Sequence, residues 1–398
     1  MSADSRTLGF STLCIHAGHR ANAQEPAVVA PLVHSATFRL DDRSYACMLE
    51  GRVEDARIYS RLGNPTLDVV QRRLAALEGS EHALVFASGM AAIHAAVMSV
   101  VRAGSTIVAH RELYGSAWDL FHNFLSKLGI TTHFVDMTDG AQLARALAER
   151  RPALVYCESI SNPTLAVVDL PEIARVAHAH GAVVVVDATF ATPVLQRPLA
   201  LGVDLVVHSA TKYLSGHSDV IGGVVCGDRE RLRNVFRWLQ LAGGCMDPQA
   251  AFLLDRGLKT LPLRIRAHCA NAARLAEFLG TCAEVERVIY PGLATHTSHA
   301  RAQRLLAAPG GMLSFVIRGG DAAALAFVRA LELAIEASSL GGVETLVSLP
   351  FNTSHVKLSE SERASMGMPP GFVRVSAGIE DAADLCADFA QALTRAAR

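Results

Sequence analysis

The sequence has almost no net charge: 37 Lys and Arg stand against 38 Asp and Glu, a formal charge of -1. That balance leaves no electrostatic footprint for nucleic acid, and no block of like charges marks an interaction tail. Long apolar runs are missing too; the longest are too short or too interrupted to cross a bilayer, so no membrane association is expected. The opening residues, MSADSRTLGFSTLCIHAG, hold no basic stretch followed by an apolar one, so no signal peptide is expected. None of the eight cysteines forms a C-x-x-C pair. They read as buried thiols of a reducing compartment, and a cytoplasmic protein is expected. The histidines show no metal-ligand spacing. In AHAHG, His178 and His180 are two apart and share no helix face, so no metal is expected. Internal repeats and low-complexity segments are absent.

What is present is apolar residues in a strict rhythm. The 398 residues are 51% hydrophobic, enough for one or two cores. Residues 1–64 have weak periodicity and many turn residues, and read as an N-terminal arm. From Asn64 an α/β alternation begins. NPTLDVVQRRLAALEG has an N-cap residue, Pro at the first helical position, apolar residues at helical spacing and a closing glycine. HALVFAS, STIVAH, THFVD, ALVYCES, AVVVVDATF, VDLVVHSATK and VIGGVVCG read as strands separated by helical patterns. The pattern GMAAIHAAVMSVVRAG, for one, predicts a helix to Gly104. AVVVVD is apolar at nearly every position, which fits a parallel sheet covered on both faces. Residues 65–257 are therefore expected to form a mostly parallel, doubly wound α/β domain. Residues 258–398 read as a smaller C-terminal α+β domain, with strands in GGMLSFVIRGG and GFVRVSAG.

Ligands of such sheets bind beyond the carboxyl ends of the strands. Polar residues collect there: Ser88-Gly89, Tyr114, Glu158, Asp187 and Ser209 to Lys212 each follow an apolar run. A lysine at a buried strand end has its charged form disfavoured, and its neutral amine can form a Schiff base with a carbonyl. The plainer alternative is a lysine in a surface loop. Asp187 ends AVVVVD, where an isolated carboxylate is costly to bury. It is either a turn or cap residue or an acid with a partner. A lysine for an aldehyde and an acid for a ring nitrogen together suit pyridoxal phosphate (PLP). ASGMAA lies at a strand-to-helix junction, where first-turn N–H groups bind phosphate. The hydroxyls of Ser209 and Thr211 flank the lysine.

In order along the chain stand YSRLGNPT, ASGMAA, ELYGS, ESISNPTL, VVVDATFATP, HSATKYLSGHSD, DRGLKTLPLR, YPGL, SSLGGVETL and VRVSAGIED. This series, from about residue 9 to 395, closely resembles the Cys/Met-metabolism (transsulfuration) family of PLP-dependent enzymes. The texture is most similar to the methionine γ-lyase branch. The resemblance implies the PLP-dependent fold type I and a shared-site homotetramer, a dimer of dimers. It implies that Lys212 takes the cofactor's aldehyde and shuttles protons, and that Asp187 pairs with the ring nitrogen. Ser88, Gly89, Met90, Ser209 and Thr211 would hold the phosphate, with Tyr59 and Arg61 reaching the phosphate of a neighbouring subunit. Tyr114 would stack on the ring and act on the leaving group. Asn162, with Glu158 close by, would lie near the phenolic oxygen, and Thr189 would also contact the cofactor. Arg374 would clamp the substrate carboxylate, helped by Ser339 and Asn162, while Ser116 would face the substrate.

The implied activity is γ-elimination from an amino acid with a leaving group on Cγ, of the methionine, homocysteine, cystathionine, O-substituted homoserine or canavanine type, giving 2-oxobutyrate and ammonia. Alternatives are γ-replacement, as in cystathionine γ-synthases and O-acylhomoserine sulfhydrylases, and after it a β-lyase or a non-catalytic PLP-binding protein. The sequence also departs from its relatives' pattern. Ser116 stands where methionine γ-lyases carry cysteine, and Leu239 and Gln240 stand where they carry a Lys-Asp pair. Ser338 replaces a glutamate common in the cystathionine enzymes, and Ala188 replaces an asparagine.

Overall fold

The computed structural model describes residues 8–19, 26–53, 56–353 and 359–396. A seven-stranded sheet comprises β1 (His82–Phe86), β2 (Thr106–His110), β3 (Thr131–Val135), β4 (Leu154–Glu158), β5 (Val183–Asp187), β6 (Leu205–Ser209) and β7 (Gly223–Gly227). Their order is β1-β7-β6-β5-β4-β2-β3. The run from β6 to β3 is parallel, whereas β7 is antiparallel to both β6 and β1. Both faces are covered. Val184, Val186 and Val206 lie in one buried cluster, and Val185, Val207 and Tyr156 lie in the other. That two-sided burial is why the AVVVVD run shows no polar alternation. Each fully buried valine contributes roughly 1.5–3 kcal/mol against exposure.

The helix Pro65–Glu78 forms as its sequence predicts. The Asn64 side chain accepts the Thr66 N–H, Pro65 takes the first helical position, and Gly79 leaves in the left-handed region. The helix Gly89–Met98 is shorter than the pattern to Gly104 suggests. The Ser99 hydroxyl donates to the Ala96 carbonyl, competing with the helix at its end. The pattern GSAWDLFHNFLSKLG is helical but includes a π-helical stretch, Leu120–Phe124. Nor is the arm wholly extended. Its helix Phe10–His16 packs on Pro65–Glu78, and the buried Arg73 bonds both the Cys14 carbonyl and, at 2.7 Å, Asp255.

Two helices, Pro248–Leu258 and Leu261–Leu279, lead into a second sheet. Its strands are β8 (Val285–Ile289), β9 (Met312–Ile317), β10 (Ile335–Glu336), β11 (Leu346–Ser348) and β12 (Phe372–Ser376). They lie in the order β10-β11-β12-β9-β8. The sequence patterns predict β9 and β12 but not the other three: β10 and β11 are only two and three residues long, and the outer strand β8 is largely solvated.

Candidate active site

The carboxyl ends of β4, β5 and β6 lie side by side, with Glu158 paired in register to Asp187. Thr189 ties two of these ends together. Its N–H donates to Asp187 Oδ1 at 2.9 Å, and its Oγ1 accepts the Ser209 N–H at 2.8 Å. Burial pushes the Asp187 carboxyl up, against the lowering effect of its bonds to Thr189. Glu158 is raised well above its ordinary value, first by burial and then by the charge of Asp187. Glu158 accepts the Tyr114 N–H at 2.5 Å, so it fixes the start of the turn on which Tyr114 stands. The Tyr114 side chain is 44% exposed.

The first turn of Gly89–Met98 abuts the end of β6. A Cβ on Gly89 would lie 2.9 Å from the Ser209 Cβ, so only glycine lets the two backbones approach this closely. The N–H groups of Gly89 and Met90 open that turn, where no intrahelical acceptor exists. The Ser88 hydroxyl is engaged, accepting the Ala91 N–H at 3.1 Å. Thr211 Oγ1 meets the Gly222 backbone, accepting its N–H at 3.0 Å.

Lys212 stands in a tight turn just after β6. Its Nζ donates to Ser339 Oγ at 2.6 Å. Burial, with the charge of Arg374 behind it, lowers the Lys212 amine to about 8. Ser339 has φ 98, a left-handed conformation that costs a non-glycine residue about 1–3 kcal/mol. In that conformation its hydroxyl meets Lys212 while its carbonyl accepts Arg374 Nη2 at 2.8 Å. Arg374 Nη1 donates to Asn162 Oδ1 at 3.2 Å, and its Nε is buried without a partner. Burial lowers the Arg374 guanidinium to about 10, so it stays charged at neutral pH.

The structure thus brings Lys212, Ser339, Arg374 and Asn162 into one hydrogen-bonded chain. Asp187, Thr189, Ser209 and Gly89 form a second linked group at the strand ends, with Glu158 and Tyr114 beside it. Tyr59 and Arg61 lie elsewhere in a single chain: the Arg61 guanidinium sits 5.7 Å from the Tyr59 ring centroid and donates to the Gln240 carbonyl at 2.7 Å. Ser116 is exposed in the first turn of Gly115–Asp119. Leu239 is buried in the core, 5% exposed. One contributor was missed from sequence. Ser376 accepts the Gly341 N–H at 2.9 Å and pins the Ser339 loop to β12. It stood inside VRVSAG, beside the arginine that drew attention.

These residues fit PLP. An acid with raised affinity for a proton, a lysine of lowered basicity and a glycine-lined helix N-terminus are what its ring nitrogen, aldehyde and phosphate require. A family model for Cys/Met metabolism PLP-dependent enzymes matches residues 11–394. The chain belongs to this family. It is 41% identical over 404 aligned residues to the L-methionine gamma-lyase of Pseudomonas putida, covering 100% of both chains. It is 40% identical to the cystathionine beta-lyase of Lactococcus lactis subsp. cremoris, covering 97% of this chain and 99% of the relative. The solved cystathionine gamma synthase of Xanthomonas oryzae pv. oryzae, in complex with cystathionine, superposes with a TM-score of 0.92. That pair is 40% identical, covering 98% of this chain and 99% of the other. As a member of this family the chain is a PLP-dependent enzyme with an amino-acid substrate. Among the described residues no helix is long and apolar enough to cross a membrane, and no cluster of three His, Cys, Asp or Glu side chains could hold a metal.

Proposed function

We propose that this enzyme is a γ-lyase acting on an amino acid with a leaving group on Cγ. The substrate R–X–CH2CH2CH(NH3+)COO– plus water gives R–XH, 2-oxobutyrate and ammonium. The observation that carries this reading is the Lys212–Ser339–Arg374 chain, with 2.6 and 2.8 Å contacts through one strained serine. It places the amine beside the guanidinium, so that an amino acid whose carboxylate is held at Arg374 would present its Cα toward Lys212 Nζ. The relatives at 41% identity named L-methionine gamma-lyase support the same branch.

PLP would be held by Lys212 at the aldehyde, Asp187 at the ring nitrogen, and Ser88, Gly89, Met90, Ser209 and Thr211 at the phosphate; it supplies the electron sink that acidifies the substrate's Cα–H. Asp187 is the acid for this role because burial already raises its proton affinity. Lys212 Nζ moves the protons at Cα and Cβ, since an amine near 8 gives and takes protons readily close to neutral pH. Arg374 binds the carboxylate through its planar fork, oriented by Ser339 and Asn162. Tyr114, whose backbone N–H is held by Glu158, would stack on the ring and deliver the proton to the leaving group. Thr189 keeps Asp187 and Ser209 in register, and Ser116 faces the substrate.

Tyr59 and Arg61 reach the phosphate of a neighbouring subunit, and two such dimers form a cytoplasmic tetramer. The side chains' exposure on a single chain supports that role. Residues 1–64 form the subunit-contact arm, 65–257 the PLP domain and 258–398 the C-terminal domain. A second reading, γ-replacement, is favoured by Leu239: the position that carries a polar network in methionine γ-lyases is here apolar and in the core. A substrate panel of methionine, homocysteine, cystathionine, O-acylhomoserine and canavanine separates the two. The expected outcome is 2-oxobutyrate and ammonium with no thiol added. Product that forms only when a thiol is supplied would replace the lyase reading with a synthase or sulfhydrylase.

A further inference from the structure

The helix Leu261–Leu279 carries three polar side chains that nothing above uses. Arg264, His268 and Asn271 are 4%, 0% and 8% exposed. Their spacing, i, i+4 and i+7, puts all three on one helix face over about 10 Å of axis. All three donate to backbone carbonyls. Arg264 donates to the carbonyls of Tyr213 at 2.7 Å, Leu214 at 3.4 Å and Gly257 at 2.7 Å. Its Nε donates to Thr260 Oγ1 at 3.1 Å, and among the described residues it has no carboxylate partner. His268 Nδ1 donates to the Ala377 carbonyl at 2.7 Å. Asn271 Nδ2 donates to the carbonyls of Gly378 at 3.1 Å and Glu380 at 2.7 Å.

Apart from Gly257, in the last turn of the preceding helix Pro248–Leu258, the carbonyl acceptors belong to two segments. Tyr213 and Leu214 are the residues after Lys212. Ala377, Gly378 and Glu380 follow β12, which carries Arg374. A single helix therefore grips both the lysine turn and the arginine strand. The packing leaves no slack. A Cβ on Gly216 would lie 1.8 Å from the Arg264 guanidinium, and one on Gly341 would lie 2.6 Å from the Tyr213 nitrogen. A Cβ on Gly311 would lie 2.7 Å from the His268 Cβ and 2.8 Å from the Tyr213 hydroxyl. The Tyr213 and His268 rings themselves meet edge to face, centroids 5.2 Å apart.

We propose that Arg264, His268 and Asn271 are positioning residues that set the separation of Lys212 and Arg374, and with it the amino-acid head group the site accepts. The proposal rests on the γ-lyase reading for the meaning of that separation, but its geometry stands without it. Backbone carbonyls are the chosen acceptors because they locate the chain itself, whereas a side-chain contact would leave rotamers free. Two neutral-for-neutral changes test the idea: His268→Phe keeps the ring against Tyr213 and removes the donor, and Asn271→Leu keeps the branched shape and removes two bonds.

In the cofactor-free proteins, Lys212 is acetylated over a range of pH and the modified peptide counted by mass spectrometry. Wild type should reach half-labelling near pH 8, following its buried amine. Each variant should move that midpoint upward, toward the ordinary lysine value of about 10.4, as Arg374 recedes and water enters. In the loaded enzymes, KM for the amino acid should rise about tenfold or more, with kcat changed less. Unchanged midpoints and unchanged KM in folded variants would overturn the proposal, whatever their melting temperatures do. Failure of wild type to release keto acid would instead count against the γ-lyase reading and leave the labelling result standing.

Discussion

Arg374 is a charged residue only 8% exposed whose hydrogen bonds go to an amide oxygen and a carbonyl, with Nε left over. A buried guanidinium with only neutral acceptors is under-compensated, and a carboxylate is the ligand that completes it. A lysine there keeps the charge but loses the fork. Arg374→Lys should therefore raise KM for the amino acid about 10- to 100-fold, the equivalent of one charged hydrogen bond of about 1.5–3 kcal/mol. Steady-state kinetics checks this, and an unchanged KM would move carboxylate binding elsewhere. The identity of this arginine was readable in VRVSAG. Its partners were not, because Asn162 is 212 residues away along the chain and Ser339 is 35.

The helix Gly89–Met98 packs along β6, and at its start Gly89 faces Ser209. A methyl group on Gly89 would force the helix start away from the strand end and spoil a phosphate cradle built from both. Gly89→Ala should weaken PLP binding by about 1–3 kcal/mol, roughly five- to a hundredfold in affinity. Titrating cofactor-free protein with PLP measures it, and wild-type affinity would show that the cradle lies elsewhere. Most elements were legible locally, because Asn64, Pro65 and Gly79 punctuate a helix by themselves. The end of Gly89–Met98 was not. Apolar periodicity continues past Met98, but the Ser99 hydroxyl turns back on the Ala96 carbonyl.

Over the whole molecule, large apolar side chains remain uncovered on the arm: Val28 is 88% exposed and Leu49 is 90% exposed. Tyr59 and Arg61 lie exposed with them. Such surface suits a subunit interface. If Arg61 serves a neighbour's site, Arg61→Ala and Lys212→Ala chains should complement. An equal mixture that exchanges subunits freely should recover about a quarter of wild-type activity, since half of the dimers are hybrids with one intact site. Subunit exchange without recovered activity would confine Arg61 to its own chain, where it already bonds the Gln240 carbonyl.

The sequence by itself determined the alternation of strands and helices, the family, and the polar residues waiting at strand ends. These are local properties: periodicity, caps and the order of short motifs survive without a fold. Only the tertiary structure decided how those residues are joined. It set β7 antiparallel between β1 and β6. It used Thr189 to link Asp187 to Ser209, and it bent Ser339 into a left-handed turn between Lys212 and Arg374. It also turned Arg264, which ends the DRGLKTLPLR motif, and His268 and Asn271 beyond it toward carbonyls on both sides of the site. Such contacts depend on where distant backbone groups come to rest, and periodicity within one segment holds no record of that.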